Sequence, residues 1–329
     1  MAKGRILSGM RPTGKLHLGH LVGALENWVQ LQNEYESFHM VADWHVLTTS
    51  YQDTANIKQD TLEMVADWIS SGLDPEKAVL FVQSKVKEHA ELHLLFSMLV
   101  TTARLERNPT VKEVVRDLNL GTNVSYGLLG YPVLQAADIL MYKADLVPVG
   151  EDQVSHVELT REIARRFNSL YGEVFPEPQP KLTVFARLPG LDGKRMSKSV
   201  GNTIELGDSP EEMMRKMKTA VTDPKKIRRG DAGHPEVCTV FTYHKRFNAE
   251  EKEEIEKDCR SGVLGCVPCK ENAARKVAHA LAPIREKRTK LMSDPSVLEE
   301  IIEDGTGRAR AVARETMNSV RSVMKLWND

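Results

Sequence analysis

The sequence has no long hydrophobic run. Among its 329 residues no apolar stretch approaches the roughly 18 that a membrane helix needs, which excludes a chain that crosses a bilayer by helices. The pattern of a secretory leader is missing as well. Met1-Ala2-Lys3-Gly4-Arg5 runs straight into a strand-like segment, so the sequence predicts a cytoplasmic protein. An excess of one charge sign is also absent: 45 Lys and Arg stand against 46 Asp and Glu, a formal net charge of −1. That balance argues against a protein that coats nucleic acid by electrostatics alone, and any polynucleotide contact must come from local patches. Internal repeats and low-complexity segments are lacking. Cysteine is missing outside one window of 32 residues that holds all four, Cys238, Cys259, Cys266 and Cys269. Such clustering, without a leader, points to a metal site before disulfides.

What remains is the composition of an ordinary globular chain, 41% apolar and 28% charged, long enough for one large and one small domain. Strand-like and helix-like segments alternate over the first half. Arg5–Ser8, Phe38–Ala42 and Ala78–Val82 read as strands, Leu21 to about Tyr35 and Thr54 to Ser71 as helices. The alternation implies right-handed βαβ units and an α/β fold with a Rossmann-like parallel sheet. Ligands on such sheets sit at strand carboxyl ends, where the Gly9–Gly14 loop and His45 fall. Residues 90–145 read as mainly helical, Val147–Gly150 as a strand end, and Lys181–Leu188 as the last strand.

Beyond Asn202 the pattern becomes all-helical. Asp208-Ser209-Pro210-Glu211-Glu212 has a capping side chain, a proline in the first turn and acids at the positive end of the dipole. Asn248-Ala249-Glu250-Glu251 opens another helix, and Asp294-Pro295 and Gly305-Thr306-Gly307 read as breaks. The domains expected are therefore a catalytic domain over 1–202, a helical domain over 203–305, and a terminal helix in 306–329 that returns to the first domain.

Two tetrads carry the chemistry: His17-Leu18-Gly19-His20 and Met196-Ser197-Lys198-Ser199. Phosphate binding favours glycines, exposed backbone N–H groups and a helix N-terminus. Gly14, Gly19 and the helix near Leu21 supply these. His17 and His20, three apart, lie on one face and can donate to phosphate oxygens, with metal binding or helix capping as the alternative. Lys198, between two serines and after Gly193, suits a loop that closes on a triphosphate, although a lone lysine is more often solvated.

In this combination the chain resembles the class I aminoacyl-tRNA synthetases. Gly9-Met10-Arg11-Pro12-Thr13-Gly14-Lys15-Leu16-His17, Tyr131-Pro132-Val133-Leu134-Gln135-Ala136-Ala137-Asp138-Ile139 and Val147-Pro148-Val149-Gly150-Glu151-Asp152-Gln153 look like the bacterial tryptophanyl enzymes. The similarity runs over nearly the whole chain. It implies that tryptophan and ATP, with Mg²⁺, give tryptophanyl-adenylate and pyrophosphate, and that tryptophan then passes to tRNA(Trp). It also implies a homodimer, with 90–145 as a plausible interface, no membrane association, and an anticodon-binding role for the helical domain.

Residue by residue, the resemblance places Lys198, Arg195, Ser197, Ser199, His17 and His20 at the reacting phosphates. Lys198 neutralises the developing pyrophosphate, and Arg195 stands where lysine is commoner. Gly9, Arg11, Pro12, Thr13, Gly19, Gly150, Glu151, Asp152, Leu188 and Met196 complete the ATP site. Asp138 matches the acceptor of the indole N–H, a fitting partner for a ring with one donor and no acceptor. Taken without the family, Asp138 reads equally well as a helix-surface acid. Tyr131, Gln153 and His45 match positions near the substrate amine, carboxylate and ring. Leu7, Val147 and Val149 would line the apolar slot, and Gln135 replaces a residue that is often methionine.

The cysteines are spaced Cys-x20-Cys-x6-Cys-x2-Cys. Spacing alone favours Zn²⁺ over an iron–sulfur cluster; the resemblance favours a [4Fe–4S] cluster, which one branch of the family carries on a similar quartet. Seven basic residues lie between Arg215 and Arg229 (Arg215, Lys216, Lys218, Lys225, Lys226, Arg228, Arg229), with Lys245 and Arg246 after them, a candidate RNA-binding face. The alternatives are a tyrosyl-tRNA synthetase, which the same tetrads would serve, and a non-catalytic RNA-binding or redox-sensing paralogue.

Overall fold

The computed structural model describes residues 3–150, 153–182, 188–228 and 230–328. Five parallel strands form one sheet: β1 (Arg5–Met10), β2 (Glu36–Val41), β3 (Ala78–Val82), β4 (Leu146–Val149) and β5 (Gln179–Leu182), in the order β3-β2-β1-β4-β5. Strands β2 and β3 are buried along most of their length, as expected where a parallel sheet is covered on both faces. Because the chain winds outward from β1 in both directions, β1 and β4 flank the point where the order reverses, and a crevice opens there at the strand carboxyl ends. The last strand is described over Gln179–Leu182; of the Lys181–Leu188 expected, 183–187 lie outside the described residues.

The helix expected from Leu21 starts earlier. Leu18–His20 forms its first turn, a π-helical segment spans Leu21–Leu25, and regular helix resumes over Glu26–Leu31. On one face of the sheet this element packs with the Ile57–Ser70 helix, bringing Trp28, Val65 and Trp68 together. The same cluster continues without interruption into the C-terminal helices through Met213, Met217, Val240, Tyr243 and Val277. The opposite face is covered by the Glu88–Ser97, Tyr126–Met141 and Val154–Tyr171 helices, with Phe38, Phe81, Tyr142 and Phe167 at its centre.

The break predicted at Gly305-Thr306-Gly307 does not occur. A single helix runs over Pro295–Met324 and crosses the β3 edge, so Leu298 and Ile302 join one cluster while Ala309, Ala313 and Met317 join the other. The reason is contact. A Cβ added at Gly305 would stand 1.9 Å from the Leu80 carbonyl oxygen, so glycine here lets a helix lie directly on strand backbone and does not end it. Among the described residues no helix is long and apolar enough to cross a membrane.

Candidate active site

A cavity of about 430 Å³ opens at the carboxyl ends of β1 and β4. Its walls include all eight residues predicted for the amino acid: Leu7, His45, Tyr131, Gln135, Asp138, Val147, Val149 and Gln153. Gly9, Arg11 and Gly150, predicted for ATP, line it too. The topology brings them together, with Leu7 and Gly9 from β1, His45 from the helix after β2, Tyr131, Gln135 and Asp138 from the Tyr126–Met141 helix, and Val147 and Val149 from β4.

Asp138 is not a surface acid. It is buried, and three side chains converge on its carboxylate. Oδ1 accepts from Gln83 Nε2 at 2.8 Å and from His89 Nδ1 at 2.6 Å, while Oδ2 lies 2.7 Å from His45 Nε2. His89 Nε2 in turn lies 2.8 Å from the Tyr142 hydroxyl, so both ring nitrogens are engaged, with Nδ1–H donating to the Asp138 carboxylate. Burial alone would push the carboxyl up, but the hydrogen bonds and charges of His45 and His89 more than offset it and hold Asp138 below the usual carboxylate range. A carboxylate offers about four acceptor directions. Three are taken by described residues, and one on Oδ2 is left for a ligand donor.

The sequence reading missed Gln83, His89 and Tyr142. Gln83 follows β3 directly, so the rule that put His45 at a strand end could have found it; the other two carry no such signal. Two further wall residues went unnoticed. His156 Nε2 lies 3.2 Å from the Tyr131 hydroxyl, and the Ser8 hydroxyl is buried against the cavity with no hydrogen-bond partner among the described residues.

The tetrads meet each other, and neither is among the described residues that line the cavity. Met196 Sδ lies 3.2 Å from the Gly19 amide, and Leu18 N–H donates to Ile204 at 2.9 Å. The histidines cap the helix, as the alternative reading allowed. His17 Nδ1 accepts from Gly19 N–H at 3.1 Å, and His20 Nδ1 accepts from His17 N–H at 3.2 Å. Burial, then neighbouring positive charge, lowers His17 to about 4 and His20 to about 3. Both rings are therefore neutral near pH 7, and with each Nδ1 accepting, each Nε2 carries the proton. Capping and phosphate donation use opposite sides of the rings and do not compete.

Lys198 is bound to the first loop: its Nζ donates to the carbonyls of Thr13 and, at 2.8 Å, Lys15. Gly14, between them, has φ +83° and allows this turn. Burial lowers the lysine, opposed by the charges of Glu205, Asp60 and Asp67. Ser197 and Ser199 hydroxyls are 2.9 Å apart, and Asn202 holds the loop through Ser197 N–H and the Arg195 carbonyl. Pro12 is buried, Thr13 exposed and Leu188 buried in the core. Glu151 and Asp152 lie outside the described residues.

A profile of the family described as tRNA synthetases class I (W and Y) matches residues 2–282. The chain belongs to that family. It is 54% identical over 325 residues to the tryptophan–tRNA ligase of Thermotoga maritima, covering 98% of this chain and 99% of that one. It is 44% identical to the tryptophan–tRNA ligase of Aquifex aeolicus, over 98% and 100% of the two chains. The tryptophanyl-tRNA synthetase of Campylobacter jejuni, solved in complex with ADP and tryptophan, superposes with a TM-score of 0.90 at 35% identity, covering 98% of this chain and all of that one.

Elsewhere on this synthetase, the helical region carries the cysteines and the basic run. The four cysteines share one neighbourhood: burial, then the charges of Cys238, Cys259 and Cys266, raises the Cys269 thiol to about 12. Cys269 Sγ also lies 3.3 Å from His244 Nε2. Yet among the described residues no three His, Cys, Asp or Glu side chains stand close enough to hold a metal ion, so the expected cluster or zinc cage is not assembled in this geometry. The basic run is also less of a face than it reads. Lys216 pairs with Asp208 at 2.7 Å, and Lys226 is buried, donating to the Cys259 carbonyl at 3.3 Å. Arg229 lies outside the described residues.

Proposed function

We propose that this synthetase joins tryptophan and ATP into tryptophanyl-adenylate and pyrophosphate, then transfers tryptophan to tRNA(Trp). The observation that carries the amino-acid choice is Asp138: a carboxylate held ionised by buried donors, with one acceptor direction left, at the wall of an apolar cavity. It suits a ring with a single N–H, and a site built to bond that group rejects a ring lacking it.

In the first step a tryptophan carboxylate oxygen attacks the α-phosphorus, and the bond to the bridging oxygen breaks as pyrophosphate leaves. No protein nucleophile is needed; positioning and charge stabilisation do the work. His17 and His20 present Nε2–H donors, Arg195, Ser197 and Ser199 line the loop, and Lys198 leaves the Thr13 and Lys15 carbonyls to meet the leaving phosphates. Gly9, Arg11, Pro12, Thr13, Gly19, Gly150, Glu151, Asp152, Leu188 and Met196 belong to the nucleotide site on this reading. Mg²⁺ bound with ATP would spread the phosphate charge.

The helical region from 203 is read as the anticodon-arm contact, with Lys225, Arg228 and Lys245 as its cations. Leu94, Met98 and Tyr126 are exposed apolar side chains that suit a homodimer face. The cysteine quartet is read as the site of a [4Fe–4S] cluster, with Zn²⁺ the alternative. Its support is the spacing and the shared neighbourhood of the thiols, which would have to close inward to ligate. Amino-acid-dependent ATP–pyrophosphate exchange tests the activity: tryptophan supports exchange and tyrosine does not. Exchange driven by tyrosine alone would return the tyrosyl reading.

A further inference from the structure

One buried ion cluster lies away from the cavity wall, between two helices. The Ile57–Ser70 helix packs against the Ala282–Ser293 helix, and Arg288 of the second reaches two carboxylates of the first. Its Nε donates to Asp67 Oδ1 at 2.6 Å, and its Nη2 to Glu63. Asp67 is fully buried. Its other oxygen, Oδ2, accepts the backbone N–H of Leu16 at 2.7 Å.

Leu16 stands one residue before His17, and its surroundings tie both tetrads together. The Leu16 carbonyl accepts from Leu206 N–H at 2.9 Å, and the adjoining Lys15 carbonyl holds Lys198 Nζ at 2.8 Å. Burial raises the Asp67 carboxyl to about 6 even against the Arg288 charge, so the guanidinium is what lets this acceptor stay charged. Buried ion pairs seldom repay their desolvation, and apolar residues of similar size hold helices together as well or better. Adhesion alone is thus a poor reason for the cluster, whereas the bond to Leu16 is one that apolar residues could not make.

We propose that Arg288 and Asp67 are positioning residues for the nucleotide. Through Leu16 N–H they fix the Lys15–His17 backbone, so that His17 Nε2 meets the phosphates in register and the Lys15 carbonyl holds Lys198 in place before it closes on them. The relay also couples the helical region, which carries Arg288, to the ATP site, and it rests on the function proposed above.

The test compares wild type, Asp67→Asn, and the paired Asp67→Leu/Arg288→Met variant in tryptophan-dependent pyrophosphate exchange. The pair removes two of the three charges and the Leu16 acceptor while filling their volume, and thermal melting checks that the helices stay packed with Glu63 left unpaired. The pair raises KM for ATP about tenfold or more, as loss of phosphate alignment does, and leaves KM for tryptophan within about twofold. Asp67→Asn, which keeps an acceptor for Leu16, loses less. Unchanged KM for ATP in a folded pair, or equal rises for both substrates, overturns the proposal and leaves the cluster as packing. Should the pair not fold, Asp67→Asn decides by the same split of the two constants. Absent exchange in wild type would overturn the functional reading instead.

Discussion

Changing Asp138 to Asn probes the amino-acid site with little change of shape. Gln83 Nε2 and His89 Nδ1–H both need an acceptor on the Oδ1 side, so they hold the amide oxygen there and place the NH₂ where Oδ2 was. That NH₂ then faces the His45 ring and the cavity, and two donors meet where donor and acceptor met before. An indole N–H arriving there finds no acceptor. A hydrogen bond to a charged group contributes about 1.5–3 kcal/mol, and each 1.4 kcal/mol is tenfold. The preference for tryptophan over phenylalanine should therefore fall by roughly ten- to a hundredfold. The assay is kcat/KM in pyrophosphate exchange for tryptophan, phenylalanine and the benzothiophene analogue, in which sulfur replaces the indole N–H. Wild type should discriminate against the analogue and the variant should not. A folded, active variant with wild-type discrimination would refute the reasoning, because the selectivity would then come from the shape of the apolar walls.

Three further outcomes follow from other parts of the molecule. Lys198→Ala should lower kcat for exchange by about 10²- to 10³-fold, as loss of one transition-state donor does, with tryptophan affinity by fluorescence titration unchanged; an equal loss of tryptophan affinity would contradict its role. His17 at about 4, His20 at about 3 and His39, buried under Trp28, at about 3 all lie below the 6.5 of an unfolded histidine. The unfolded chain then binds the extra protons, so stability is full above pH 6.5 and falls toward pH 4. Asp67, raised by burial, opposes this with a single proton; a melting temperature that holds or rises over that window would contradict the burial argument. Anaerobically purified protein should carry iron and sulfide with broad absorbance near 400 nm, whereas one zinc per chain in colourless protein would remove the cluster reading.

Much of the architecture was legible because it is written locally. The alternation of Arg5–Ser8, Phe38–Ala42 and Ala78–Val82 with amphipathic helices implied the parallel sheet, and the sheet in turn implied where ligands sit. The Tyr131–Ile139 and Val147–Gln153 motifs led to residues that do line one cavity. What sequence could not give was partnership. Gly305 looks like a helix break until Leu80 is seen beneath it. Lys226 counts as surface charge until its ammonium is found on the Cys259 carbonyl. His89, Tyr142, Asp67 and Arg288 sit in ordinary helical patterns, and their roles come from neighbours remote in the chain.

The central claim is that Asp138 reads the indole N–H in the cavity between β1 and β4, and a crystal structure with tryptophan bound tests it most directly. The account predicts the indole nitrogen at about 2.9 Å from Asp138 Oδ2, an ordinary hydrogen-bond distance, with the ring between Leu7, Val147 and Val149. An indole nitrogen turned away from Asp138, or a ring lodged outside this cavity, would contradict it.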